Sequence, residues 1–226
     1  MFRMKKFLHL IVLLVFVCGS LPVQAQRSYE RFFTAVARDD VATVRQLHQR
    51  GFDLNSPDPE LTPPLVLALQ RDALAVARYL VLQPEVDVEA VNAAGENALM
   101  MAALRDHLPL VEQLLARRAQ VNRPGWAPLH YAATNKGDHA LAITRLLLEA
   151  HAYIDAESPN GTTPLMMAAR YGREEVVRLL LEEGADPTLR NRLGLTAIDF
   201  AQQVSRQSVI DMIAAAIRAR RPRGQW

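Results

Sequence analysis

Five histidines follow residue 25: His48, His107, His130, His139 and His151. Imidazole is the side chain best suited to moving protons or binding a metal near neutral pH. As a base it needs a nucleophile within reach and an acid to orient it, and as a ligand it needs other donors at short, regular spacing. Neither pattern is present. The sequence has no H-E-x-x-H, no paired C-x-x-C, no glycine-rich loop ending in Lys-Ser or Lys-Thr, and no G-x-S-x-G elbow. His107 and His139 follow Asp106 and Asp138 in stretches that read as turns between helices, where exposed polar residues are expected. Asp40, Asp72 and Asp106 stand near the turn position that Gly172 occupies, and read as left-handed turn residues in preference to a carboxylate pair. Met100-Met101 and Met166-Met167 could offer thioethers to copper or haem, but helix-core positions explain them better. No catalytic, metal-binding or cofactor-binding residue is assigned, and no cofactor is expected. An enzyme of unrecognised type remains as the alternative class.

Charge and cysteine content narrow the choice further. The formal net charge of the 226 residues is +2, but Arg3, Lys5 and Lys6 lie at the start, and Arg218, Arg220, Arg221 and Arg223 at the end. Without the first three the charge is −1, and without the last four as well it is −5. An acidic body lacks the basic face needed to displace counterions from nucleic acid. The arginine-rich end, residues 218–226, reads as a solvated, disordered tail; the alternative is a site for anionic lipid or an acidic partner.

Residues 1–25 read as a secretory signal. Three cations precede the stretch 7–18, which is apolar except for His9, and Gly19, Ser20 and Pro22 break the helix before the small residues of Val23-Gln24-Ala25. Twelve residues fall short of the roughly 20 that span a bilayer, so cleavage after Ala25 is expected, with no stable membrane span afterwards. A short uncleaved anchor is the alternative. Cys18, the only cysteine, falls within this leader, and Val17 and Phe16 before it fit a lipoprotein signal poorly. The mature chain would therefore be stabilised without disulfides in a periplasmic or secreted setting.

The elements that must position every remaining side chain recur with a fixed period. Asn55, Glu89, Asn122, Asp155 and Thr188 are spaced by 34, 33, 33 and 33 residues, and Asp53, Asp87, Gln120, Tyr153 and Asp186 precede them by two. The clearest unit runs Thr163-Pro164-Leu165-Met166-Met167-Ala168-Ala169, then Val176 to Leu181, then Gly184-Ala185-Asp186; its predecessor offers Ala127-Pro128-Leu129-His130-Tyr131-Ala132-Ala133 and Leu146-Leu147-Leu148. These segments resemble ankyrin repeats, marked by a T-P-L-H-x-A turn into a first helix, a leucine-bearing second helix and a G-A-D loop. The resemblance covers residues 29–217 in about six copies and implies an all-α solenoid of helix-turn-helix units with short hairpin loops.

The residues agree with that reading on physical grounds. Thr163 can cap a helix whose first turn tolerates Pro164, and Ala168 and Ala169 let neighbouring first helices approach closely. A single unit cannot bury its own apolar face, so the ends must be atypical. The first copy has Tyr29, Phe32 and Phe33 in place of the turn motif, and the last has Thr196 to Ala201 followed by 209–217. Gly51 and Gly184 close second helices in left-handed geometry, and Glu85, Arg118 and His151 hold the same place in the other copies. The loop at Arg123-Pro124-Gly125 is three residues short, and three are regained between Asn135 and Ala142, in the leading helix or the turn after it.

The resemblance makes His130 a structural hydrogen-bonding residue and implies protein binding through the hairpin tips and the first-helix face. Repeat phase puts Asn92, Ala94, Glu96, Trp126, Thr162, Arg190, Arg192 and Leu195 on the hairpins, and Arg105, Asn135, Lys136 and Tyr171 at first-helix ends. Trp126 can serve as an aromatic anchor, or fold back over Pro124 or onto Ala127 of its own repeat. The expected role is that of a periplasmic scaffold or accessory factor for another protein. Exported bacterial proteins of this type suggest an oxidative-stress enzyme such as catalase, although no residue names it. The alternative partner is a host protein engaged by a secreted effector.

Overall fold

The computed structural model describes residues 24–220; residues 1–23, most of the expected leader, and residues 221–226 of the expected tail lie outside the described residues. Among the described residues there are helices and turns but no strand. Twelve helices follow one another as six antiparallel pairs: α1 (24–37) with α2 (Val41–Gln49), α3 (Pro64–Gln70) with α4 (Leu74–Val81), α5 (Ala98–Leu104) with α6 (Leu108–Ala116), α7 (Pro128–Thr134) with α8 (Ala140–Glu149), α9 (Pro164–Tyr171) with α10 (Glu174–Glu182), and α11 (Ala197–Gln202) with α12 (Gln207–Arg220). From α3 onward first helices pack on first helices, and from α2 onward second helices pack on second helices, so each pair touches only its neighbours. No helix among the described residues is long and apolar enough to cross a membrane.

Local chemistry accounts for the helix starts. Thr163 Oγ1 accepts from the Met166 amide, Asn97 Oδ1 from that of Met100, and Thr196 and Asp199 satisfy one another's backbone in a reciprocal cap. Pro64, Pro128 and Pro164 occupy first positions, where an amide donor is not needed. At α7 the cap residue is Ala127, which has no acceptor to offer. His130 substitutes: its Nδ1 accepts from the Ala127 amide at 3.1 Å, while Nε2 donates to the Thr162 carbonyl of the next repeat at 2.9 Å. Burial holds this imidazole below its ordinary pKa, which suits a neutral ring that donates at one nitrogen and accepts at the other.

The core is a column. Ala68, Ala102, Ala103, Ala132, Ala133, Ala168, Ala169 and Ala201 are wholly buried between first helices, and Val44, Leu80, Leu114, Leu147 and Leu180 fill the layer beneath the second helices. Met100, Met101 and Met166 belong to it, whereas Met167 is only partly buried. At the amino-terminal end Phe32 is fully buried and stacks on Phe52 with centroids 4.3 Å apart, and the Tyr29 hydroxyl donates to the Pro57 carbonyl at 2.6 Å.

The periodic residues prove to be the rungs of a ladder between repeats. Asn55 accepts from the Asp87 amide at 2.8 Å, Glu89 from Gln120 at 2.7 Å, Asn122 from Tyr153 at 2.8 Å, and Asp155 from Asp186 at 3.0 Å. Each side chain thus reaches the residue two before its own counterpart in the next copy, which explains why both series share one period. A second set of ties runs along the inter-helix turns. Asp39 accepts from the Ala75 and Val76 amides at the start of α4, Asp72 meets His107 and Arg105, and Asp106 takes the His139 amide and ring together with the Asn135 side chain.

Several local expectations need correction. Asp72 and Asp106 are left-handed, with φ of 55° and 64°, but in the first turn the left-handed residue is Asp39 and not Asp40. Asp40 is the cap of α2 and accepts from the Thr43 amide, which requires a negative φ. Gly172 is not left-handed either. A Cβ there would lie 2.1 Å from the Ala133 carbonyl oxygen, so glycine is required for close approach. Arg118 and His151 take the expected left-handed form, with φ of 61° and 65°, whereas Glu85 does not. Its helix has already ended at Val81, because the residue before Pro84 is kept out of helical geometry. Relative to the preceding pair, two of the regained residues lengthen the turn between α7 and α8, one lengthens α8, and the leading helix stays at seven residues. Finally, α12 runs on to Arg220, past the expected end of the array at 217, and Arg220 donates to the Gly184 carbonyl at 2.8 Å.

Two measurements follow from this geometry. Left-handed backbone costs a non-glycine residue about 1 kcal/mol, so His151→Gly is expected to raise the unfolding midpoint; an unchanged or lower midpoint would show that the imidazole compensates. Hydrogen bonds hold the Asp106 carboxyl below its ordinary pKa despite an opposing effect of burial. Its contribution is therefore present above the unfolded pKa and lost as pH falls through the folded one. Asp106→Asn, which keeps the left-handed preference, is expected to lower stability by about 1–2 kcal/mol at pH 7. The gap should narrow in denaturant titrations near pH 3.

Candidate functional site

Histidines and carboxylates do meet in the folded chain, and one cluster outlines a relay that the sequence did not show. His48 Nε2 lies 2.6 Å from Glu85 Oε1, and its Nδ1 lies 2.7 Å from the Tyr79 hydroxyl. Burial raises the Tyr79 phenol above its ordinary pKa, with opposed smaller effects of Arg45 and Glu85, so the relay does not generate a phenolate. It joins α2 to α4 and the loop beyond, as the Asp72–His107 and Asp106–His139 pairs join their own repeats. Among the described residues no group of three or more His, Cys, Asp or Glu side chains could hold a metal ion.

Concave space is found on the other face, between the hairpins and the carboxy-terminal ends of the first helices. A groove of about 230 Å³ is lined by Leu104, Trp126, His130, Tyr131, Thr134 and Met167. A second, of about 340 Å³, shares Trp126 and Met167 and extends past Arg170, Tyr171, Leu193 and Phe200 to Gln203. Trp126 thus stands on the divide. Its indole meets the His130 and Tyr131 rings edge to face, at 5.2 and 6.5 Å between centroids. It is half-buried and rests on side chains of its own repeat. The shortened connection, 117–127, explains its prominence: the neighbouring connections reach hairpin tips at Gly95 and Gly161, and this one omits the residues that would form an equal tip. Leu61 at the first tip and Leu193 at the last are 65% and 77% exposed, and Leu61 holds a left-handed φ of 61° where the other tips carry glycine. A strained, exposed leucine adds nothing to the core.

The comparisons agree with this architecture. A family model described as ankyrin repeats matches residues 32–124, 76–157, 110–191 and 129–219. The ankyrin repeat protein YahD of Escherichia coli (strain K12) is 33% identical over 150 residues, which cover 64% of this chain and 74% of that protein. This chain belongs to the ankyrin-repeat family. Larger relatives contain a similar array as one part. The palmitoyltransferase ZDHHC13 of Danio rerio is 31% identical over 74% of this chain, but the match covers 25% of its own length. Among solved structures, a chain of the complex between the predatory endopeptidase Bd0816 of Bdellovibrio bacteriovorus and the immunity protein Bd3460 is 28% identical. It superposes with a TM-score of 0.69 over 82% of this chain and 97% of that one. Ankyrin arrays are in general binding scaffolds without enzymatic activity.

The residues proposed from repeat phase occupy different parts of the ankyrin surface. Trp126 and Tyr171 line the groove, with Thr162 and Leu195 beside them. Arg190, Arg192 and Lys136 are exposed on the hairpin and turn. Asn92 and Glu96 are turned inward to brace their own hairpin: Asn92 Oδ1 accepts from the Ala94 and Glu96 amides, and Glu96 accepts from Asn92 Nδ2 and the Tyr131 hydroxyl. Asn135 is buried and donates to the Ala103 carbonyl and to Asp106. Arg105 is exposed but pairs with Asp72 at 3.4 Å and donates to the Gln70 carbonyl. Repeat phase did not single out Leu61, Leu104, Met167 or Arg170.

Trp126→Ala measures how much of the indole's contact is internal. Full truncation of a core aromatic costs about 3–5 kcal/mol, whereas a half-buried ring resting on two others should cost about 1–2 kcal/mol. Chemical denaturation should return the smaller value; a loss in the larger range would make Trp126 a core residue.

Proposed function

We propose that this ankyrin-repeat protein is exported and holds a second protein in the groove centred on Trp126, as a periplasmic or secreted scaffold or accessory factor. The observation that carries the proposal is the groove itself. Aromatic and apolar side chains from four consecutive repeats line it, and the shortened third hairpin leaves it open. Aromatic groups at such positions are effective anchors because they bury large areas with few rotatable bonds. Support for export comes from the sequence alone: a cationic start, a short apolar stretch and a small-residue site before Gln26.

A second reading of the partner rests on the solved relative, which comes from a complex of an endopeptidase with an immunity protein. By that analogy the bound protein is an exported hydrolase restrained by the array, as an alternative to an oxidative-stress enzyme that the array supports. Both readings use the same surface and differ in whether binding inhibits or sustains the partner's activity.

Site-specific photo-crosslinking in the producing cell tests the proposal. A photoreactive residue at Tyr171 or Leu193 in the full chain is expected to give a discrete adduct in the envelope fraction, and the recovered protein should begin at Gln26. The same residue at Arg178, exposed on a second helix, should give none. Equal labelling from Arg178, or a chain that keeps residues 7–18 and stays in the membrane, would contradict it.

A further inference from the structure

The groove contains one cation without a carboxylate partner. Arg170, in the last turn of α9, lines the wall between Met167 and Gln203. Its Nη1 donates to the neutral Gln203 side chain, its guanidinium carbon lies 5.1 Å from the centroid of the Tyr171 ring, and its buried Nε has no acceptor among the described residues. Arg105, Arg123, Arg173 and Arg220 each pair with an acid at 3.5 Å or less, whereas no described carboxylate lies within ion-pair distance of Arg170.

Two acids near the hairpins are already engaged, whereas Glu157, at the repeat phase of Arg190, is exposed. Glu96 is held by Asn92 and Tyr131, and Asp199 accepts from the amide and hydroxyl of Thr196. The exposed rim adds Arg192 and Arg190, the latter donating only to the Gly194 carbonyl. At the same position of the other first helices stand Gln70, Leu104, Thr134 and Gln203, all uncharged. A guanidinium set among Trp126, Tyr171, Met167 and Phe200 is only partly hydrated, and its planar fork matches a carboxylate. In an otherwise apolar groove it fixes the chemistry of the occupant.

We propose that this groove takes an extended segment of a partner protein that places a carboxylate on Arg170 and a bulky apolar side chain beside it, between Trp126 and Phe200. The proposal rests on the protein-binding reading and specifies which sequences the groove accepts. Charge gives selectivity by excluding basic segments, and the apolar walls give contact area.

Selection of random twelve-residue peptides, displayed on phage, against the immobilised full chain tests it. Enriched peptides are expected to share an Asp or Glu within about three residues of Phe, Leu, Met or Trp, a separation that an extended strand spans in about 10 Å. When an enriched peptide is resynthesised with the acid changed to its amide, its affinity by fluorescence anisotropy should fall roughly tenfold to a hundredfold. Against Arg170→Met the acid and amide peptides should bind alike, and Arg170→Lys, which keeps the charge, should restore part of the difference. Circular dichroism and thermal unfolding of both variants separate loss of recognition from loss of fold. Enriched peptides without a shared acid, an undiminished acid preference in Arg170→Met, or no enrichment would overturn the proposal. Acid-free peptides that still compete at Trp126 would overturn it alone, whereas failure of the protein-binding reading would show as absence of a groove-specific adduct in the cell.

Discussion

Neighbouring first helices touch through alanines that have no exposed surface, Ala102 and Ala103 against Ala132 and Ala133, and these against Ala168 and Ala169. The approach is so close that a Cβ on Gly172 would overlap the Ala133 carbonyl. This contact governs the rest of the molecule. Larger side chains would push the first helices apart and open the column beneath them, where Leu80, Leu114, Leu147 and Leu180 must still meet. From the third pair to the sixth, the first helices are six to eight residues long and their partners nine to fourteen. The short row therefore leaves space at its carboxy-terminal ends, and the hairpins close the other side of it. The groove is a by-product of packing that the sequence has then furnished with Trp126, Tyr131, Met167 and Phe200.

Packing alone would allow the repeats to slide. The polar ties prevent this at both edges of the column, with the Asn55–Glu89–Asn122–Asp155 ladder along the loops and Asp39, Asp72 and Asp106 along the turns. Each connects only adjacent repeats, so cooperativity passes from neighbour to neighbour. The described residues contain no cysteine, so these ties act without disulfide support. The fourth repeat departs from the pattern without breaking it. It loses residues at the hairpin before α7 and gains them in the turn after it, where Gly137 lets the Asp106 carboxylate pass; a Cβ there would lie 2.1 Å from Asp106 Cγ.

Much of the fold was legible in the sequence because the period is strict and the helix starts have local signals. What was hidden depends on partners some thirty residues away. Asn92, Glu96 and Asn135 share a phase with exposed hairpin and turn residues, yet their side chains are spent on internal hydrogen bonds, two of them to the next repeat or the previous one. Position cannot separate a free polar group from an engaged one. Glu85 shares the phase of Gly51 and Gly184, but Pro84 before it ends the helix early. Arg170 is hidden for the opposite reason: a lone arginine in an amphipathic helix reads as surface. The signal lay in comparing one position across five first helices, where Arg170 is the only charge.

The central claim is that partner protein binds on the first-helix and hairpin side and leaves the second-helix side free. Hydrogen–deuterium exchange on the chain with its captured partner, compared with the chain alone, tests this most directly. The account predicts added protection at the hairpins 92–97, 123–127, 158–163 and 191–196 and at the ends of α7 and α9. Protection confined to α4, α6, α8 and α10, with the hairpins unchanged, would contradict it.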